Sequence, residues 1–115
     1  FNPEVYADME KLMGEHVPPN MLNIQMAQAS KDATMAYFSV KNFNKGTLFF
    51  HLDGSYHSNN QRGIIWWVNK IRPGLNIKSI TTLKQSEWEE LSKDEIQLIA
   101  NYIIVVADNM TKTKS

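Results

Sequence analysis

The 115-residue chain has no cysteine, so it forms no disulfide, holds no metal through thiolates and uses no cysteine nucleophile. It has no net charge: 12 basic residues balance 12 acidic ones, with no single-sign block beyond a mildly basic tail. Nucleic-acid binding is disfavoured, because affinity for phosphate needs a clustered positive field. No apolar run approaches the roughly 20 residues that cross a bilayer. There is no P-loop, no G-x-G-x-x-G, no G-x-S-x-G and no H-E-x-x-H. With only three histidines, His16, His51 and His57, a three-histidine metal site would need all of them. No signal peptide is read, and a start at Phe1 suggests a mature or trimmed piece.

What is present is one domain's worth of chain, 43% hydrophobic and able to build a core. Five of the six methionines (Met9, Met13, Met21, Met26, Met35) fall in the first 35 residues. Such soft side chains fill irregular cores, and they also line pockets for large flat ligands. Asn2-Pro3-Glu4 is a helix start, predicted to run to about Glu15, where Val17-Pro18-Pro19 breaks it. Asn20 is expected to cap a longer helix over about 21–41. One apolar stripe runs through Leu22, Met26, Ala29, Ala33, Ala36 and Val40. A second stripe, about 100° round the helix, holds Met21, Gln25, Gln28, Asp32, Met35 and Ser39 and is neither clearly core nor clearly solvent.

After Asn42 the period changes. Thr47–Leu52 is a continuous apolar run, read as a strand covered on both faces. Residues 61–72 read as a short helix with Ile64, Trp67, Val68 and Ile71 on one face, stopped by Pro73-Gly74. Asn76–Leu83 is a β-branched second strand. Ser86–Glu89 and Ser92–Glu95 match capping boxes, giving one interrupted helix or two short ones over 86–98. Asn101–Ala107 is a third buried strand, and the tail from Asp108 is expected to fray. The order α-α-β-α-β-α-β predicts an α/β fold with a three-stranded parallel sheet flanked by helices and preceded by two helices. So small a sheet suggests the C-terminal part of a larger domain. The expected division is a helical segment over 1–41, a βαβαβ part over 42–107 and a polar tail over 108–115.

In open parallel sheets ligands bind beyond the carboxyl ends of strands. That places Gly54, Tyr56 and His57 at a candidate site, with Gly54 allowing a tight turn or a close approach to a ligand. His57, on a loop, could offer a neutral imidazole to a metal or to haem iron, or move a proton. His51, inside the strand run, reads as a satisfied core histidine. Arg62 with the following helix start could hold a carboxylate or phosphate; a plain surface arginine is the bland alternative. Trp67 reads as core, and Trp66, off the stripe, as the better exposed contact.

Residues 27–38 (AQASKDATMAYF) and 51–81 together resemble the C-terminal portion of the ChaN-like haem-binding uptake proteins of the Tiki/EreA-like superfamily. The resemblance runs from about Asn20 to Ala107. Its marks are Gln28, Asp32, Met35 and Ala36 on the helix, Gly54 and His57 after the strand, then Gly63, Arg72 and Pro73. It implies a larger parallel sheet with a helical subdomain, and bacterial envelope or outer-membrane lipoproteins of iron uptake, anchored by a lipid upstream of this chain. It also implies haem as cofactor, bound at a dimer interface or together with an absent N-terminal half. On this reading Gln28, Asp32 and Met35 line a cleft, His57 ligates or approaches the iron, and Arg62 meets the propionates, with Tyr37 and Tyr56 as candidate tyrosine ligands. The alternatives are a Tiki-type hydrolase, with His57 as divalent-metal ligand or general base, and an inactive structural fragment.

Overall fold

The computed structural model describes residues 1–7, 9 and 17–110. They fall into two compact units, one of Phe1–Ser58 with Arg62–Ile77, the other of Asn59–Gln61 with the chain from Lys78.

In the first unit a 3-10 turn spans Pro3–Tyr6. Asn2 starts it as expected, its side-chain oxygen accepting from the Glu4 N–H at 3.1 Å. Most of the helix expected beyond Tyr6, His16 included, lies outside the described residues. Helix α1 spans Met21–Asn42, close to the expected bounds. Asn20 makes no side-chain cap bond there, correcting the expected cap. Helix α2 spans Ile64–Ile71 and packs on α1. Their core joins Ala36, Ile64 and Val68, with Met35, Val40, Trp67, Leu75 and Ile77 against it. Ala36 is 0% exposed, and its small side chain lets α2 approach closely.

Two expectations fail in this unit. The apolar stripe of α1 is not its buried face, since Leu22 and Met26 are about half exposed. The buried positions are Met21, Gln25, Ala29, Asp32 and Ala36, a face lying between the two stripes and drawing on both. Polar residues can occupy it because among the described residues every buried side-chain nitrogen and oxygen has a hydrogen-bond partner. The strand expected at Thr47–Leu52 does not form. Leu48 is 93% exposed, and Phe50 and Leu52 are exposed as well. A strand exists only through ladder partners, and no described strand pairs with this run.

In the second unit β1 (Ile80–Lys84) pairs in parallel with β2 (Tyr102–Val106), in register from Ile80↔Tyr102 to Lys84↔Val106. The sheet has two strands among the described residues, not the expected three. The crossover carries two short helices, α3 (Gln85–Glu90) and α4 (Lys93–Ile99). Ser92 caps α4 as its capping box predicts, accepting from the Glu95 N–H at 3.2 Å. At α3 the box starts two residues early, with Lys84 N–H donating to the Glu87 carboxylate at 3.1 Å. Ser86 instead donates from N–H and O–H to Asp108, at 3.2 and 3.0 Å, so the tail is tied at its first residue. Asn101 closes the other end, accepting from Ser79 N–H at 2.9 Å. Strand β2 is not buried: Tyr102 and Ile104 are more than half exposed, because two strands leave most of a sheet surface uncovered.

Candidate functional site

The chemistry of the first unit gathers around one carboxylate. Asp32, on α1, is 0% exposed. One of its oxygens, Oδ2, accepts from the Tyr6 hydroxyl at 2.7 Å. The other, Oδ1, is in close contact with His57 Nδ1. Trp67 Nε1 donates in turn to the Tyr6 oxygen at 2.9 Å. Gln25 Nε2 donates to the Tyr6 backbone carbonyl at 3.1 Å, fixing the 3-10 turn on α1. The Gln28 amide lies 2.9 Å from His57 Nδ1. Four consecutive groups therefore line up as Trp67, Tyr6, Asp32 and His57.

An uncompensated buried carboxylate is costly, and the two donors are what make this one tolerable. Burial lifts the Asp32 carboxyl above the usual carboxylate range, and the hydrogen bonds from His57 and Tyr6 pull it part way back. Burial first, and then the bond to Asp32, also hold the Tyr6 phenol above its ordinary value. An ionised Asp32 accepts from both partners, which puts the ring proton of His57 on Nδ1 and the lone pair on Nε2. The structure sets Gln28 Nε2 toward that nitrogen; with Nδ1 a donor, the amide has to turn over so that its oxygen accepts there. Nε2 makes no hydrogen bond among the described residues.

Local backbone explains how His57 gets there. Ser55–His57 is a 3-10 turn, with His57 N–H donating to Gly54 O at 2.9 Å. The chain returns to α2 through Gly63 at φ 58, a conformation that favours glycine. A Cβ on Gly63 would stand 2.2 Å from the His57 carbonyl oxygen and 3.2 Å from Asp32 Oδ2. Gly54, at φ −74, has a conformation open to any residue.

His57 also lines an open cleft of about 440 Å³ with Ser30, Lys31, Thr34 and Met35 of α1. Of the residues singled out in the sequence, Gln28, Asp32, Met35, Gly54 and His57 thus come together. Tyr56 is 70% exposed and Tyr37 about half exposed, and neither lines this cleft. Arg62 Nη1 donates to the Glu4 carbonyl at 3.0 Å, and the cation lining the cleft is Lys31. His51 is exposed, not a core residue, and its Nδ1 lies 3.1 Å from Asp53 in a local pair. Trp66 is half-buried beneath Lys70, whose ammonium sits 4.9 Å from its ring centroid. Trp67, the expected core residue, is the tryptophan bonded into the site. Tyr6 and Gln25 were not anticipated as site residues. The one signal for Trp67 was that a packed indole N–H needs an acceptor.

Among the described residues no three acidic or imidazole groups converge as a metal site. A divalent-metal hydrolase would need ligands beyond Asp32 and His57.

A family model described as "Haem-binding uptake, Tiki superfamily, ChaN" matches residues 1–68. The match takes in the N-terminal turn with Tyr6, α1, the His57 turn and most of α2, and stops before β1. No curated protein and no solved structure matches the chain.

Proposed function

Since the chain belongs to the ChaN family of haem-binding uptake proteins in the Tiki superfamily, we propose that it binds haem and that His57 Nε2 is the nitrogen that would hold the iron. The observation that carries this reading is the Asp32–His57 contact, which occupies Nδ1 and leaves Nε2 with its lone pair on a residue lining the cleft. A carboxylate behind a ligating imidazole fixes its tautomer, orients the ring and raises its basicity. Haem would supply a Lewis-acidic iron that accepts such a nitrogen. Met35 offers an apolar surface to the macrocycle, and Lys31 a cation for a propionate. Asp32, satisfied on both oxygens, holds the imidazole without being a ligand itself. A role in haem uptake accords with the family description, and its setting in iron uptake at a bacterial envelope is a further part of the same proposal.

Haemin titration of the whole chain tests it. The wild type is expected to give a shifted Soret band that saturates, and His57→Ala is expected to lose that band shape or bind at least tenfold more weakly. Identical spectra and affinities for the two proteins would overturn the ligand assignment. Hydrolysis that appears only with an added divalent metal would favour the hydrolase reading instead.

A further inference from the structure

We infer that Tyr6 is a positioning residue for His57: its hydroxyl draws on the Asp32 carboxylate from the opposite side and so sets how strongly His57 Nε2 donates to iron. This rests on His57 being the ligand, as proposed above.

Asp32 has two oxygens and one donor on each, Tyr6 at 2.7 Å on Oδ2 and His57 on Oδ1. The carboxylate is 0% exposed, so no solvent dilutes either bond. In such surroundings linked hydrogen bonds polarise one another. Charge drawn toward the Tyr6 proton is withdrawn from the His57 proton, which weakens the pull on Nδ1–H and lowers the imidazolate character of the ring. The Trp67 indole donates to the Tyr6 oxygen at 2.9 Å, which polarises the phenol and makes it a stronger donor to Asp32. The phenol is also fixed in place, since Gln25 grips the Tyr6 carbonyl and the Phe1 ring stacks on its ring at 5.7 Å between centroids. Nothing about packing alone requires a hydroxyl here, since a phenylalanine would fill the same 4%-exposed place.

The effect has a sign. Tyr6→Phe removes the competing donor, strengthens the His57–Asp32 bond and makes His57 the more electron-rich ligand. In the haem-free 115-residue chain the His57 Nδ1–H proton resonance is expected to move downfield. In the haem-loaded protein the reduction potential is expected to fall and the ferrous iron–histidine stretch to rise. Trp67→Phe, which leaves the phenol in place, is expected to shift all three the same way by less, and it carries the test if Tyr6→Phe does not fold. An Nδ1–H resonance that stays put in folded variants, or moves upfield, overturns the role of Tyr6. The two readings fail separately. A moved resonance with unchanged haem spectra in His57→Ala overturns the ligand assignment alone. An unmoved resonance with an altered His57→Ala spectrum overturns Tyr6 alone.

Discussion

The first unit buries a carboxylate completely and leaves leucines in the open. Asp32 is 0% exposed, while Leu48, sixteen residues later, is 93% exposed. Hydrophobicity taken residue by residue would rank them the other way round. What separates the two places is partners. Asp32 meets a phenol, an imidazole and the α1–α2 packing, so its desolvation is offset by two directed bonds. Every residue of Thr47–Leu52 is exposed and none belongs to a described strand, so its apolar side chains find little cover among the described residues. Burial follows the availability of complementary groups, and the following substitutions probe both sides of that contrast.

The largest effect is expected at Gly63. Alanine there would need a positive φ and would drive its Cβ to 2.2 Å from the His57 carbonyl oxygen. The cost is expected to exceed about 3 kcal/mol, beyond ordinary point substitutions. Gly54→Ala is the control: its φ is −74 and the nearest atom to a new Cβ is His57 Cδ2 at 3.7 Å, an ordinary contact. Denaturant unfolding of the pair should show a large loss for the first and a change within about 0.5 kcal/mol for the second. Equal losses would mean that the His57 turn does not depend on close approach at Gly63.

Next comes Asp32→Ala, which strands the Tyr6 hydroxyl and His57 Nδ1–H and opens a cavity between α1 and the turn. Removing one partner of a buried hydrogen-bonded set costs about 3 kcal/mol. A thermal melt showing no loss would mean that the carboxylate is kept for function against its own desolvation.

The contrast also explains what could be read in advance. The bounds of α1 were legible from breakers and period; α2, β1 and β2 were legible as elements, but α2 starts at Ile64 rather than 61 and β1 at Ile80 rather than Asn76. These signals are local. The run at 47–52 carries the same local signal as β2, yet a ladder needs a neighbour, and neighbours are not written in a six-residue window. The α1 stripe of Gln25, Gln28 and Asp32 was visible but ambiguous. Its meaning depends on Tyr6, 26 residues away from Asp32, and on Trp67, 61 residues from Tyr6. His57 could be picked out by its loop position. The hydroxyl and indole behind it could not, because no periodicity links a short N-terminal turn to a helix sixty residues on.

A smaller, pH-dependent effect tests Tyr6. Its phenol is held above the ordinary 10.0 by burial and by Asp32, so above about pH 10 the unfolded chain releases a proton that the folded chain keeps. The folded state then binds more protons than the unfolded one, and stability falls as pH rises through that window. Tyr6→Phe loses the hydroxyl's bond at neutral pH, at a cost of about 1–2 kcal/mol, but removes this alkaline slope. Unfolding free energies of the two proteins should therefore converge between pH 10 and 11.5. Parallel curves would show that the phenol titrates as freely in the fold as outside it.

The smallest effect belongs to the other side of the contrast. Leu48→Ser and Phe50→Ser remove apolar groups that are 93% and 71% exposed, so almost no burial is lost. Each is expected to change the unfolding free energy by less than about 0.5 kcal/mol. Because an exposed apolar segment is a ready contact for other chains, the double variant should also stay soluble to higher concentration. Light scattering against concentration reads the second effect and chemical unfolding the first. A loss of about 2 kcal/mol or more in either single variant would show that the run is buried in solution, which would remove the asymmetry with Asp32 and restore the covered strand expected from its composition.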